Sequence, residues 1–176
     1  MNLQELKKAE ESPVFNLKPL SKEAVAPALA RAEHYRLLNQ PGVAESICLD
    51  ILTADAENQK AKIILLLSIT DQFGQKQGKP KMAEDIANSL SDPYSKLYYL
   101  GIIHERQGNT SLSSSIPGSG FDAYEWYLEA MDFYERADEI NPSGNEDAVL
   151  RWNTCARIIM DNHLKRRPKD NYVDFE

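Results

Sequence analysis

Leu97-Tyr98-Tyr99-Leu100-Gly101-Ile102-Ile103-His104 and, after an interruption, Ala130-Met131-Asp132-Phe133-Tyr134-Glu135-Arg136-Ala137 are the stretches that decide the fold. The first places large residues at 97 and 100, a small one at 101 and a bulky one at 104, and Gly108 closes it. The second repeats the helical spacing with Ala130, Tyr134 and Ala137, and Asn141-Pro142 closes it. Residues three and four apart share a helix face, so the two halves read as a helical hairpin.

The pattern recurs on both sides. Upstream lie Ala32-x-x-Tyr35 and Ala44-x-x-x-Cys48, ending in Asp55-Ala56-Glu57-Asn58. Leu66 and Ile69 form a bulkier copy of the same step, and Trp152-x-x-Cys155-Ala156-x-x-Ile159 reads as the first helix of a last half-unit. From about residue 21 to 164 the chain resembles the tetratricopeptide repeat family, whose period is about 34 residues. It departs from that pattern at Ala28 and Lys62, where a large residue is common, and at Arg31 and Ile51. The resemblance implies an all-α, right-handed stack of antiparallel helix hairpins with about seven helices. Such stacks need three or more units for stability, and the three and a half that the resemblance implies fit that requirement.

Helix signals fall into register with this count. Ser21, Glu23 and Ala24 open a helix to about Leu38, and Asn39-Gln40-Pro41-Gly42 breaks it, with Pro41 suited to the first turn of the next, near 41–54. A third spans roughly 57–73, and its Ile63 to Leu67 run is apolar all round, as befits the middle of a stack. A basic loop from Gly74 to Pro80 leads to a fourth at about 81–90. Asp92-Pro93 starts a fifth, which Gly108-Asn109 is expected to end as a left-handed cap. A sixth runs from about Phe121 to Ile140 and a seventh from near Asn145 to Leu164. Residues 1–20, with Pro13 and Pro19, read as an extended leader, in which Phe15 and Leu17 have the alternative of lying in a groove of the repeats. The tail at 165–176 shows no period and reads as mobile.

The hairpin at 97–137 contains an insertion of about 17 residues relative to the family. Part of it is the segment 110–120, rich in serine and glycine, which reads as a flexible linker. It lacks the strand and the lysine of a phosphate-binding loop. The rest lengthens the sixth helix and adds Phe121, Tyr124, Trp126 and Tyr127, aromatics without obvious neighbours in a standard repeat. Residues of this type favour interfaces. The alternative is that the inserted loop or the terminal tail folds over them.

Composition bounds the function. At 176 residues with 42% hydrophobic and 27% charged residues, the chain is sized for one folded domain. A net charge of −7 argues against non-specific nucleic-acid binding. No run of 18 apolar residues offers a membrane span, and Met1 to Lys8 lack a signal-peptide core. Cys48 and Cys155 fall in helical patterns as small buried hydrophobes. The expected compartment is the cytoplasm. His34, His104 and His163 are scattered and the serines of 111–119 lack a nucleophile elbow, so no catalytic, cofactor or metal site is expected.

The expectation that remains is a protein-interaction adaptor, binding a peptide or helix in the concave groove of the stack. By the resemblance, the first helix of each hairpin lines that groove with Leu29, Glu33 and Arg36, then Lys60, Ile63, Leu67 and Thr70, then Tyr98, Ile102 and Glu105, and finally Asn153 and Arg157. Some family members grip a chaperone's C-terminal carboxylate there. Leu29, Glu33, Ile63 and Leu67 occupy those places here, which leaves a groove with Tyr98, Ile102, Ile63 and Leu67 suited to an apolar or amphipathic peptide, the alternative being that these residues are core. The alternative is self-association, as a homodimer, through Trp126 and Tyr127 at the aromatic end of the sixth helix.

Overall fold

Several helix starts are written in the local chemistry. Asn58 accepts the amide of Ala61 at 2.9 Å, and Asp92 accepts that of Ser95 at 2.8 Å, which satisfies donors left free in a first turn. Pro41, Pro80 and Pro93 sit in the first turns of their helices, where a missing N–H costs nothing. The resulting elements, in a computed structural model describing residues 15–75, 78–142 and 144–168, are all helical. After a 3-10 turn at Lys22–Ala24 come α1 (Val25–Leu37), α2 (Pro41–Ala54), α3 (Gln59–Thr70), α4 (Pro80–Asn88), α5 (Pro93–Leu112), α6 (Ser119–Glu139) and α7 (Asp147–Asp161). Among the described residues there is no strand, and no helix is long and apolar enough to cross a membrane.

Two helices end in the same way. Asn39 adopts φ +57, the Gln40 amide reaches the Tyr35 carbonyl, and the Asn39 amide reaches that of Arg36. His163 adopts φ +53, with Leu164 bonded to Ile159 and His163 to Met160. This double bond pattern around a left-handed residue caps the last carbonyls and reverses the chain. His163, of no evident chemical use in the sequence, is therefore a helix stop.

Helices pack chiefly against their neighbours in the chain, and α1 also packs against α3. The apolar helix α3 lies between α2 and α4, and its Ile64, Leu65, Leu66 and Ile69 join Ala32, Cys48, Ala83, Ala87 and Ile103 in one core. Burying each such aliphatic side chain is worth about 1.5–3 kcal/mol. A second core holds α5, α6 and α7 together around Ala123, Tyr127, Ala130, Tyr134, Ala148 and Cys155.

The insertion departs from expectation. Gly108-Asn109 does not end α5, which continues to Leu112. A Cβ at Gly108 would lie 2.8 Å from Tyr127 Cε1, and Asn109 accepts the Tyr127 hydroxyl at 2.7 Å. Both residues are thus the docking points of α6 on α5. The inserted residues lengthen both helices of the hairpin, and the connection shrinks to Ser113–Gly118, where Gly118 at φ +88 starts α6. Leu112 packs into the second core, whereas Ile116 is exposed.

At the ends, Phe15 and Leu17 are exposed rather than held in a groove. Pro13 and residues 169–176, with the remaining leader, lie outside the described residues. The first part of the tail is engaged: Arg166 reaches Glu125 at 3.2 Å and Arg167 reaches Asp122 at 2.7 Å.

Candidate functional site

Alternate helices meet through their side chains. Arg36 Nε at the end of α1 donates to Asp71 Oδ2 at 2.6 Å, and Arg106 of α5 donates to Asp71 Oδ1 at 2.8 Å. Asp71 directly follows α3, and each partner is 35 residues away along the chain. Residues from α1, from the turn after α3 and from α5 thus meet in one ion cluster that is partly open to solvent. Lys79 and Gln72 converge on Glu45 in the neighbouring turn, which ties α2 to the α3–α4 connection.

Between α5 and α7 the link is Glu105, a buried carboxylate. It accepts the Tyr134 hydroxyl at 2.8 Å and meets Arg151 at 3.3 Å. Burial first, and the nearby carboxylate second, push the Tyr134 phenol well above its ordinary range, so it remains a hydrogen-bond donor. One hydrogen bond and one ion pair make this buried charge tolerable. It is a structural node.

Burial corrects four expected contact residues. Ile102, Glu105 and Thr70 are buried, as is Tyr127. In a standard repeat positions such as 102 and 105 line the groove, but here Ile102 is buried and Glu105 is enclosed by its contacts with Tyr134 and Arg151. Tyr127 has neighbours because α5 was extended along with α6, which takes it out of the aromatic patch considered for self-association.

The other candidates stay accessible to different degrees. Glu33, Lys60 and Arg157 are exposed, while Arg36, Ile63, Leu67, Tyr98, Asn153 and Trp126 are half-buried. Lys60, Ile63, Leu67 and Asp71 follow helical spacing along α3 and lead to the Arg36–Asp71–Arg106 cluster. Tyr98 stacks on Tyr94 at 5.8 Å and is tilted against Tyr134 at 5.9 Å, so it joins the second core more than it faces outward. Leu67 likewise leans on the first core.

Sequence reasoning missed Asp71, Arg106 and Arg151. The equal interval between 36, 71 and 106, with charges of alternating sign, was the signal available for the first two. Also missed was a cleft of about 430 Å³ between α5 and α6, lined by His104, Leu128 and Phe133 with Glu125, Glu129 and Asp132 at its rim and Arg166 at one end. There His104 lies between Trp126 and Phe133, at ring distances of 5.4 and 5.0 Å, and its Nδ1 is 2.8 Å from Glu129. A more polar cleft of about 580 Å³ opens beside Asp71 and Arg106, along Thr70, Phe73 and Thr110.

Both thiols are inert in this setting. Burial, then Glu45, pushes Cys48 up to about 12, and burial, then Glu105, does the same to Cys155. Among the described residues no three His, Cys, Asp or Glu side chains gather as a metal site. No protein-family model matches this chain, nor does any curated protein or solved structure.

Proposed function

We propose that the chain is a protein-interaction adaptor of stacked helical hairpins, holding a partner's peptide or helix along the face formed by α1, α3, α5 and α7. The observation that carries the reading is the Arg36–Asp71–Arg106 cluster, in which positions 35 residues apart on alternate helices converge. That is the geometry expected when each hairpin of a repeat is displaced onto the next. The α3 part of the face is the stripe of exposed Lys60 and half-buried Ile63 and Leu67, mixed basic and apolar, with Glu33 and Arg36 on α1. An amphipathic helix or an extended peptide with apolar anchors suits such a stripe.

The test is affinity capture by the full chain, wild type against Lys60→Glu and Ile63→Glu, with circular dichroism confirming that each variant is folded. A partner held by the wild type and by Trp126→Ala, but lost from both α3 variants, supports the reading. A partner lost only from Trp126→Ala moves the site to α6 and refutes it.

A further inference from the structure

Helix α6 carries seven carboxylates against one arginine, a net −6 on a single helix in a chain of net −7. Its acids are interleaved with aromatics, and the chain's own arginines show what this arrangement holds. Arg167 pairs with Asp122 at 2.7 Å while its guanidinium lies over the Phe121 ring at 5.3 Å. Arg136 pairs with Asp132 at 3.3 Å while lying over Phe133 at 5.2 Å. An arginine gripped by a carboxylate and a ring face thus occurs twice on one helix. Between the two lies the 430 Å³ cleft, with Glu125 and Glu129 at its rim, Phe133 and His104 as its walls, and only Arg166 at its end. The Glu129 and Asp132 side chains are more than half exposed, so the face is open to a further cation.

We propose that this face of α6 docks an arginine-bearing basic segment of a partner protein, and that Arg166 and Arg167 of this chain occupy one end of it in cis. The planar guanidinium matches a carboxylate bidentately and stacks on a ring, which a lysine ammonium does less well. A partner segment would enter beside Glu129 and displace Arg166 from Glu125. The site uses none of the α3 stripe, so it stands apart from the adaptor reading above.

Fluorescence anisotropy with labelled nona-arginine and nona-lysine, at physiological ionic strength, tests this on the full chain. Nona-arginine is expected to bind about threefold or more tighter than nona-lysine, the margin of a stacked guanidinium. Glu129→Gln with Asp132→Asn should weaken it about tenfold, whereas Glu84→Gln with Asp85→Asn on α4 should leave it within about twofold. Arg166→Ala with Arg167→Ala should strengthen it about threefold by vacating the site. Equal binding of the two peptides, equal loss from the α4 variant, or no gain from the arginine variant would overturn the proposal. So would sedimentation showing a dimer that depends on Arg166 and Arg167, because the face would then belong to a second copy.

Discussion

The Tyr134 ring occupies the space a side chain at Gly101 would need: a Cβ there would lie 2.5 Å from Tyr134 Cε1. Tyr134 cannot yield, since it is fully buried and its hydroxyl is fixed on Glu105. Alanine in a helix interior normally gains about 0.5–1 kcal/mol over glycine. Overpacking of a core costs about 1–3 kcal/mol, and here it prevails. Gly101→Ala and Gly108→Ala should therefore lower the unfolding free energy by about 1–2 kcal/mol in urea titration. Gly42→Ala, whose Cβ would meet nothing nearer than 3.8 Å, should raise it slightly.

Tyr134→Phe leaves the Glu105 carboxylate with Arg151 alone. A buried acceptor deprived of its donor costs about 1–3 kcal/mol. The loss should shrink in Tyr134→Phe with Glu105→Gln, because a neutral amide is less costly to leave short of a partner. A double variant as unstable as the sum of the singles would contradict the node.

Asp71 is shared by two arginines, so their contributions cannot be independent. With both guanidiniums partly exposed, Asp71→Asn is expected to cost about 1–2 kcal/mol rather than the penalty of a dry pair. Arg36→Ala and Arg106→Ala should combine non-additively in a double-mutant cycle, with a coupling of about 0.5 kcal/mol or more. Strict additivity would mean that the two arginines act on Asp71 independently, and would contradict a shared cluster.

The thiols give a pH signature. Their folded values, raised to about 12, exceed the unfolded ones, so their contribution is fully present below the ordinary thiol range and is lost as pH rises toward 12. Buried Tyr127 and Tyr134, also raised, act in the same direction. The urea midpoint should fall between about pH 9 and 11, less steeply in Cys48→Ala with Cys155→Ala. At neutral pH a thiol-specific reagent should label neither cysteine until denaturant is added.

Much of the helix order was legible in the sequence because its signals are local: Pro41, Asp92-Pro93 and the apolar run of α3 act within a turn or two of themselves. The errors came where a distant residue decides the outcome. Gly108-Asn109 has the composition of a helix stop, but Tyr127, 18 residues on, makes it a docking point. Ile102 and Glu105 have the spacing of groove residues, but Ile102 is buried and Glu105 is taken up by Arg151 and Tyr134. His163 and Asn39 look unlike glycine caps, yet take the left-handed conformation that a Cβ makes uncommon. The aromatic and acidic cleft on α6 needed the register of α5 against α6, which no single helix pattern contains.

Site-specific photo-crosslinking tests the adaptor reading most directly. A benzophenone amino acid in place of Ile63, on the α3 stripe, is compared with the same group in place of Thr53, exposed on α2. The partner retained by the full chain should form an adduct from position 63 and none from position 53. Adducts from position 53 alone, or from neither while the partner stays bound, would contradict a binding face built from alternate helices.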